Sequence, residues 1–122
     1  MQIKSVDPKT LQSWLDDDEV ILIDVREQSE YIEFCIEKAI NIPLSKLLNE
    51  LDLVSDIKNK KLVLYCRIGV RSMSGCQLLA KEGVAEEGVV KYLWNLDGGI
   101  HAWQSAGLPI CYSAHMLSST GK

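Results

Sequence analysis

The sequence predicts an α/β sandwich in which helices flank a mainly parallel sheet. The run 20–23 is apolar without alternation, as expected of a strand covered on both faces. Other strand-like runs alternate along the chain with segments whose apolar residues recur at helical spacing. With 122 residues the chain is long enough to bury one core. We therefore expect one domain over residues 1–111, followed by a loosely held tail over residues 112–122.

The individual elements follow from local signals. Asp7 is a predicted N-cap with Pro8 at the first helical position, and this helix ends at the acidic run 16–19. Three further strands are predicted over residues 39–42, 62–65 and 89–93. Three further helices are predicted over residues 44–51, from Val70 to a stop at Gly83, and over residues 100–106.

The composition excludes several classes of function. The net charge of −4 argues against general nucleic-acid binding, which requires a basic surface. The first residues lack a long apolar run, so we expect neither a signal peptide nor a membrane span, and the cytoplasm is the default location. The four cysteines form no C-x-x-C pair and only two histidines are present. Neither a metal site, a disulfide framework nor a cofactor is therefore predicted.

The segment 66–72 carries the strongest chemical signal. Cys66 follows a strand-like run and precedes a helical pattern, so backbone N–H groups and the helix dipole converge on its side chain. This environment lowers the pKa of a cysteine and makes it a nucleophile. Arg67 and Arg71 add fixed positive charge, and Gly69 allows the loop to close.

This loop, Cys-x4-Arg-Ser, resembles the active-site loop of single-domain rhodaneses. Two flanking segments are also similar to rhodanese signatures, namely residues 22–43 with their Asp-Val-Arg-Glu and Asn-Ile-Pro motifs, and residues 96–109 with Asp-Gly-Gly and Ala-Gly-Leu-Pro. The resemblance spans roughly residues 3–110. It implies the rhodanese-like three-layer sandwich, with a mainly parallel central sheet flanked by helices.

The resemblance also implies an activity. Rhodaneses are sulfurtransferases that carry a sulfane sulfur as a cysteine persulfide, here on Cys66. The implied donor is a small anion such as thiosulfate. The implied acceptor is cyanide in the laboratory, and in the cell a thiol such as glutathione or a thioredoxin-like protein.

Each loop residue receives an expected role. The backbone amides from Arg67 to Ser72 would cradle the outer sulfur, with contributions from Ile68, Gly69 and Val70. Arg71 is expected to hold the loop and add to its positive field, and a surface salt bridge is the less favoured alternative. Arg67 is expected to be more exposed and to bind the anionic end of the donor. For Ser72 we favour capping of the new helix over a bond to the sulfur.

Asp24 lies where a buried strand ends, at the edge of the sheet where α/β proteins place their sites. Two roles remain open, a substrate-binding one that shapes donor access and a structural one in forming the turn. Arg26 and Glu27 are interpreted equally as motif residues or as a stabilising ion pair.

The C-terminal motif is interpreted as scaffold. Tight turning and core packing explain Gly98, Gly99 and Trp103. His101 is a minor candidate for a general base acting on Cys66.

The chain departs from the rhodanese pattern in one segment. Many rhodaneses have Gly-His-Ile-x-Gly-Ala before Asn-Ile-Pro, whereas residues 34–39 here read Phe-Cys-Ile-Glu-Lys-Ala. We interpret Cys35 as a small apolar residue. The alternative is a second thiol that accepts sulfur from Cys66 or forms a disulfide with it. Phe34 and Lys38 are expected to alter the approach to the site.

The cysteine loop leaves two alternative functions. Related phosphatases and arsenate reductases use Cys-x5-Arg loops, usually after a histidine, whereas four residues separate Cys66 from Arg71 here and Tyr65 precedes the cysteine. A binding module that relays sulfur or regulates a partner complex is the second alternative, which turnover without a partner would distinguish.

Overall fold

A computed structural model describes residues 3–51, 60–82 and 92–112. Its strands are β1 (Ile3–Val6), β2 (Val20–Asp24), β3 (Ile40–Asn41), β4 (Lys61–Tyr65) and β5 (Leu93–Leu96). Its helices are α1 (Pro8–Asp16), α2 (Gln28–Glu33), α3 (Leu47–Glu50), α4 (Val70–Lys81) and α5 (Gly99–Ser105), with a 3-10 turn over Leu44–Lys46.

The five strands form one parallel sheet in the order β1-β5-β4-β2-β3. One face packs on α4 and the 44–51 segment through buried residues such as Leu47 and Leu79. The other face packs on α1 and α5 through residues such as Leu11 and Trp103. The predicted three-layer α/β sandwich is therefore confirmed. In the described residues no helix is long and apolar enough to cross a membrane.

Helices α1 and α4 begin where the sequence predicts. Asp7 caps α1 by accepting hydrogen bonds from the backbone N–H of Thr10 at 3.3 Å and from its hydroxyl at 2.6 Å. α1 ends at Asp16, at the start of the acidic run. α4 begins at Val70, and the predicted stop at Gly83 lies outside the described residues. The tail from residue 113 onward also lies outside them.

Two predicted elements differ from the structure, and two elements were missed. The last strand spans Leu93–Leu96 rather than residues 89–93, of which 89–91 lie outside the described residues. This strand is hard to predict because it contains Asn95. Asparagine is depleted in strands, and tertiary hydrogen bonds hold Asn95 in this one. The edge strand β1 and the short helix α2 were missed, and the helix predicted over residues 44–51 is divided into a 3-10 turn and α3.

Candidate active site

The segment 66–72 joins the carboxyl end of β4 to the amino end of α4. Gly69 is the N-cap residue of α4 and has a φ of +102°, a left-handed conformation that glycine adopts without a steric penalty. This conformation turns the chain so that its N–H groups face the preceding cysteine. The predicted strand, loop and helix arrangement is confirmed.

The sulfur of Cys66 lies inside this turn and is almost completely buried, with 1% of the residue exposed. The N–H of Gly69 donates to Sγ at 3.1 Å, and the hydroxyl of Ser72 lies 3.4 Å from Sγ. Burial raises the pKa of the Cys66 thiol, but hydrogen bonds from the Ser72 hydroxyl and from the loop amides outweigh it and leave the pKa below its ordinary value. The geometry therefore favours a thiolate.

The loop carbonyls point away from the sulfur, toward the amino end of α5. The N–H of Ile100 donates to the carbonyl of Cys66 at 2.9 Å, and the N–H of His101 donates to that of Arg67 at 3.0 Å. Gly99 has a φ of +61°, and a Cβ added to it would lie 2.4 Å from the Arg67 carbonyl oxygen. The predicted scaffold motif thus holds the Cys66 loop directly, since only glycine permits this close approach.

Ser72 bonds the sulfur and does not cap the helix, so the favoured prediction for this residue was wrong. It lies at the third position of α4, inside the first turn, whereas Gly69 occupies the cap. Its hydroxyl also lies 2.5 Å from Oδ1 of Asn95. Since a hydroxyl has one proton, Ser72 shares that proton between the Asn95 oxygen and the Cys66 sulfur.

Asn95 is a site residue that the sequence analysis missed. Its Nδ2 donates to the carbonyl of Gly69 at 3.2 Å, which orients Oδ1 toward Ser72. One side chain on β5 therefore holds both the cap of α4 and the hydroxyl that faces the sulfur. A buried asparagine just before Leu-Asp-Gly-Gly was the available signal, but propensity alone assigns it to a turn.

Arg71 forms a two-pronged ion pair with Glu30 of α2. Its Nη1 and Nη2 lie 2.7 and 3.0 Å from the two carboxylate oxygens, and both side chains are about one-third exposed. These hydrogen bonds lower the pKa of Glu30 to about 2. The less favoured interpretation of Arg71 as a salt bridge is the one observed, because Glu30 on the missed helix α2 faces it.

Arg67, Ile68 and Val70 are exposed at the rim of the loop. Within the described residues the Arg67 side chain makes no hydrogen bond or ion pair, in contrast to Arg71. The positive charge available to a substrate at the rim is therefore that of Arg67, in line with the exposure expected of it. Ile68 and Val70 are 59% and 65% exposed and place apolar surface beside that charge.

Asp24 lies beside the site but is completely buried. It accepts hydrogen bonds from the backbone N–H of Arg26 at 2.9 Å and from the Arg26 guanidinium at 2.8 to 3.2 Å. This geometry favours the turn-forming role of Asp24 over substrate binding, since its oxygens are already occupied. The ion pair of Arg26 is with Asp24, so the interpretation as a pair with Glu27 was wrong.

In the described part of the chain, the remaining candidate residues are not hydrogen-bond partners of the Cys66 sulfur. His101 is exposed and contacts the loop through its backbone, which does not favour it as a base. Cys76 is buried within α4, and burial raises its pKa to about 12. Cys35 is buried opposite Cys111 in an isolated antiparallel bridge.

This fold and this loop define a cysteine-centred α/β protein, and comparison with known proteins identifies its family. The chain matches the Rhodanese-like domain family over residues 7–106, and it belongs to that family. It is 32% identical to the putative sulfurtransferase YtwF of Bacillus subtilis, over 89% of this chain and 98% of that protein.

Two further matches agree. The uncharacterized protein slr1261 of Synechocystis is 42% identical over 86% of this chain, which spans only 54% of that protein. The structure of a rhodanese-related protein from Thermoplasma volcanium is 27% identical and superimposes with a TM-score of 0.74, covering 89% of this chain and 98% of that one. The resemblance to single-domain rhodaneses is thereby confirmed.

Proposed function

We propose that the protein is a thiosulfate-type sulfurtransferase with Cys66 as the sulfur carrier. The observation that supports this most is the cradle of N–H and O–H donors around a single buried sulfur with a lowered pKa. Such a cradle stabilises the thiolate that attacks the donor and the anionic persulfide that results. The name of the Bacillus relative agrees with this activity.

The reaction has two steps. The Cys66 thiolate attacks the outer sulfur of thiosulfate, the S–S bond breaks, and sulfite leaves with its electron pair. A nucleophilic acceptor, cyanide or a thiolate, then attacks the outer sulfur of the persulfide and releases the Cys66 thiolate. No net redox reagent is consumed, because sulfane sulfur passes from donor to acceptor.

The loop supplies the remaining parts of this mechanism. The exposed guanidinium of Arg67 attracts the sulfonate end of the donor. The amides from Arg67 to Ser72 receive the outer sulfur, and the Arg71–Glu30 pair fixes the first turn of α4 to α2. Asp24 acts through the turn that it forms with Arg26 and does not contact the substrate.

The physiological acceptor in this proposal is a thiol on a protein, such as a thioredoxin-like partner in the cytoplasm. The exposed apolar side chains of Ile68 and Val70 flank the mouth of the site, and they offer no favourable contact to a small anion. Apolar residues beside a reactive group favour contact with another protein surface. Delivery of sulfur inside such a complex is therefore the second candidate function.

Mass spectrometry of the intact protein and of its peptides tests both candidates. Thiosulfate should add one sulfur atom to the Cys66 peptide, and cyanide should remove it as thiocyanate. Hydrolysis of aryl phosphates should stay at background, because a loop this short offers too few donors for the three equatorial oxygens of a phosphoryl group. Robust phosphatase activity, or sulfur found on Cys35 alone, would contradict the assignment. Loading without turnover to small acceptors would instead favour the relay function.

A further inference from the structure

Cys35 and Cys111 face each other although they are far apart in the sequence. Each donates its backbone N–H to the carbonyl of the other at 2.8 Å, which makes them a directly opposed pair of an antiparallel bridge. In such a pair the Cα atoms lie about 5.5 Å apart and the side chains leave on the same side. A disulfide spans Cα separations of about 4.4–6.8 Å, so the backbone already has the spacing that the bond requires.

The side chains agree with the backbone. Burial raises the pKa of Tyr31, and both Cys35 and Cys111 add to that shift, which places the two sulfurs within electrostatic range of one phenol. Cys35 is 3% exposed, whereas Cys111 is partly exposed. A soluble oxidant therefore meets Cys111 first, with Cys35 directly behind it.

We propose that Cys35 and Cys111 are a redox pair whose two sulfurs form a disulfide with each other. The oxidant is a low-molecular-weight disulfide such as oxidised glutathione. The Cys111 thiolate attacks one sulfur of the oxidant, whose S–S bond breaks and releases one thiolate. The Cys35 thiolate then attacks the Cys111 sulfur of the mixed disulfide and releases the second. Two protein thiols are oxidised and one small disulfide is reduced to two thiols.

The bond would fasten the C-terminal segment to the segment between α2 and β3. The segment between α2 and β3 is already tied to β4, because Ile36 donates its N–H to the Tyr65 hydroxyl at 3.1 Å. It is also tied to the turn after β2, because the Phe34 carbonyl accepts from the Arg26 guanidinium at 2.6 Å. The closed loop contains β3, α3, β4, α4, β5 and α5. Since closing a long loop restricts the unfolded chain most, the disulfide stabilises the fold. This inference does not depend on the proposed sulfur transfer.

The sequence makes the test direct, because cleavage after Lys and Arg places each cysteine in a different peptide, over residues 27–38, 62–67, 72–81 and 92–122. The reduced full chain is equilibrated with mixtures of reduced and oxidised glutathione, blocked with iodoacetamide and mapped without reduction. We expect peptides 27–38 and 92–122 to be linked. Cys35→Ala should instead retain glutathione on Cys111.

A Cys66→Ala variant, which cannot take glutathione on its reactive thiol, isolates the effect on stability. We expect oxidation to raise its melting temperature by roughly 5–10 °C. The triple variant that also carries Cys35→Ala and Cys111→Ala should show no rise. Linkage of Cys66 to Cys35, absence of any 27–38 to 92–122 link in pure oxidised glutathione, or a link without a rise in melting temperature would overturn the proposal.

Discussion

Cys66 and Cys76 lie in the same strand, loop and helix unit and belong to the same apolar cluster, yet their thiols have opposite properties. They are 1% and 0% exposed. The pKa of Cys66 is lowered, whereas that of Cys76 is raised to about 12. The two thiols are thus almost equally exposed, so burial alone does not explain why their pKa values move in opposite directions.

The groups that face each sulfur account for the difference. Cys66 receives the Gly69 N–H and the Ser72 hydroxyl, which stabilise a thiolate. The Cys76 thiol instead donates to the carbonyl of Trp94 at 3.6 Å, so no hydrogen-bond donor in the described residues offsets its burial, which raises its pKa. A buried cysteine becomes a nucleophile where the backbone presents donors, and is an inert apolar residue where it presents an acceptor.

The largest expected effect separates the two cysteines by mutation. Cys66→Ala should abolish transfer of sulfur from thiosulfate to cyanide, because no other described thiol lies in the cradle. Cys76→Ala should keep the activity and lose about 1 kcal/mol of stability from the small cavity. Thiocyanate formation and thermal unfolding measure the two effects, and persistent turnover in Cys66→Ala would refute the carrier role.

Gly99→Ala should make the Cys66 thiol less reactive, like that of Cys76. The added Cβ collides with the Arg67 carbonyl and would push the loop away from its donors, so activity should fall on the order of 100-fold. Gly107→Ala is the matched control, since Gly107 also has a positive φ, +78°, but nothing within 4 Å of an added Cβ. It should lose only about 1–2 kcal/mol of stability and keep its activity. Equal activities in the two variants would contradict the bracing role of α5.

Substitutions at Arg67 and Arg71 test whether side-chain charge contributes to the difference in reactivity between Cys66 and Cys76. Arg67→Ala should raise the KM for thiosulfate about tenfold, because the unpaired guanidinium attracts the donor, and should leave a neutral donor unaffected. Arg71→Ala should lower activity with every donor, and Glu30→Gln should lower it to a similar degree through the same broken pair. Steady-state kinetics with both kinds of donor measure this, and equal dependence on donor charge in both arginine variants would contradict it.

Ser72→Ala removes one donor from the cradle and should raise the pKa of Cys66 by about one unit. Alkylation at neutral pH should slow by up to about tenfold. Ser74→Ala, on an exposed position of the same helix, should change neither quantity. An unchanged Cys66 pKa in Ser72→Ala would mean that the backbone amides alone hold the thiolate.

The smallest effect concerns stability and pH. The pKa of Glu30 is lowered from about 4.5 to about 2, so its ion pair stabilises the fold above pH 4.5 and is lost as the pH falls toward 2. Glu30→Gln should therefore cost about 0.3–1 kcal/mol at pH 7 and progressively less in acid. Denaturant unfolding at several pH values checks this, and a difference that grew on acidification would be contrary to the sign expected.

The sequence predicts the fold class and the position of the loop well, because these depend on local signals: an apolar run before Cys66, a glycine in the loop and a helical pattern after it. That Cys66 is the nucleophile stays a prediction. The partners that complete the site come from other elements. Glu30 on α2 and Asn95 on β5 reach Arg71 and Ser72 only through the tertiary fold, and neither has a local signature. For the same reason the sequence does not reveal that Cys35 lies opposite Cys111.

Site-resolved alkylation across pH tests the central claim most directly. Iodoacetamide is applied to the native protein between pH 5 and pH 10, and the rate is followed for the Cys66 and Cys76 peptides. We predict that Cys66 ionises below the ordinary cysteine pKa of about 8.5 and reacts fastest near neutrality. Cys76 should remain almost unreactive, since at a pKa of about 12 roughly one thiol in ten thousand is ionised at pH 8. A Cys66 that reacts no faster than Cys76 near neutral pH would contradict the account.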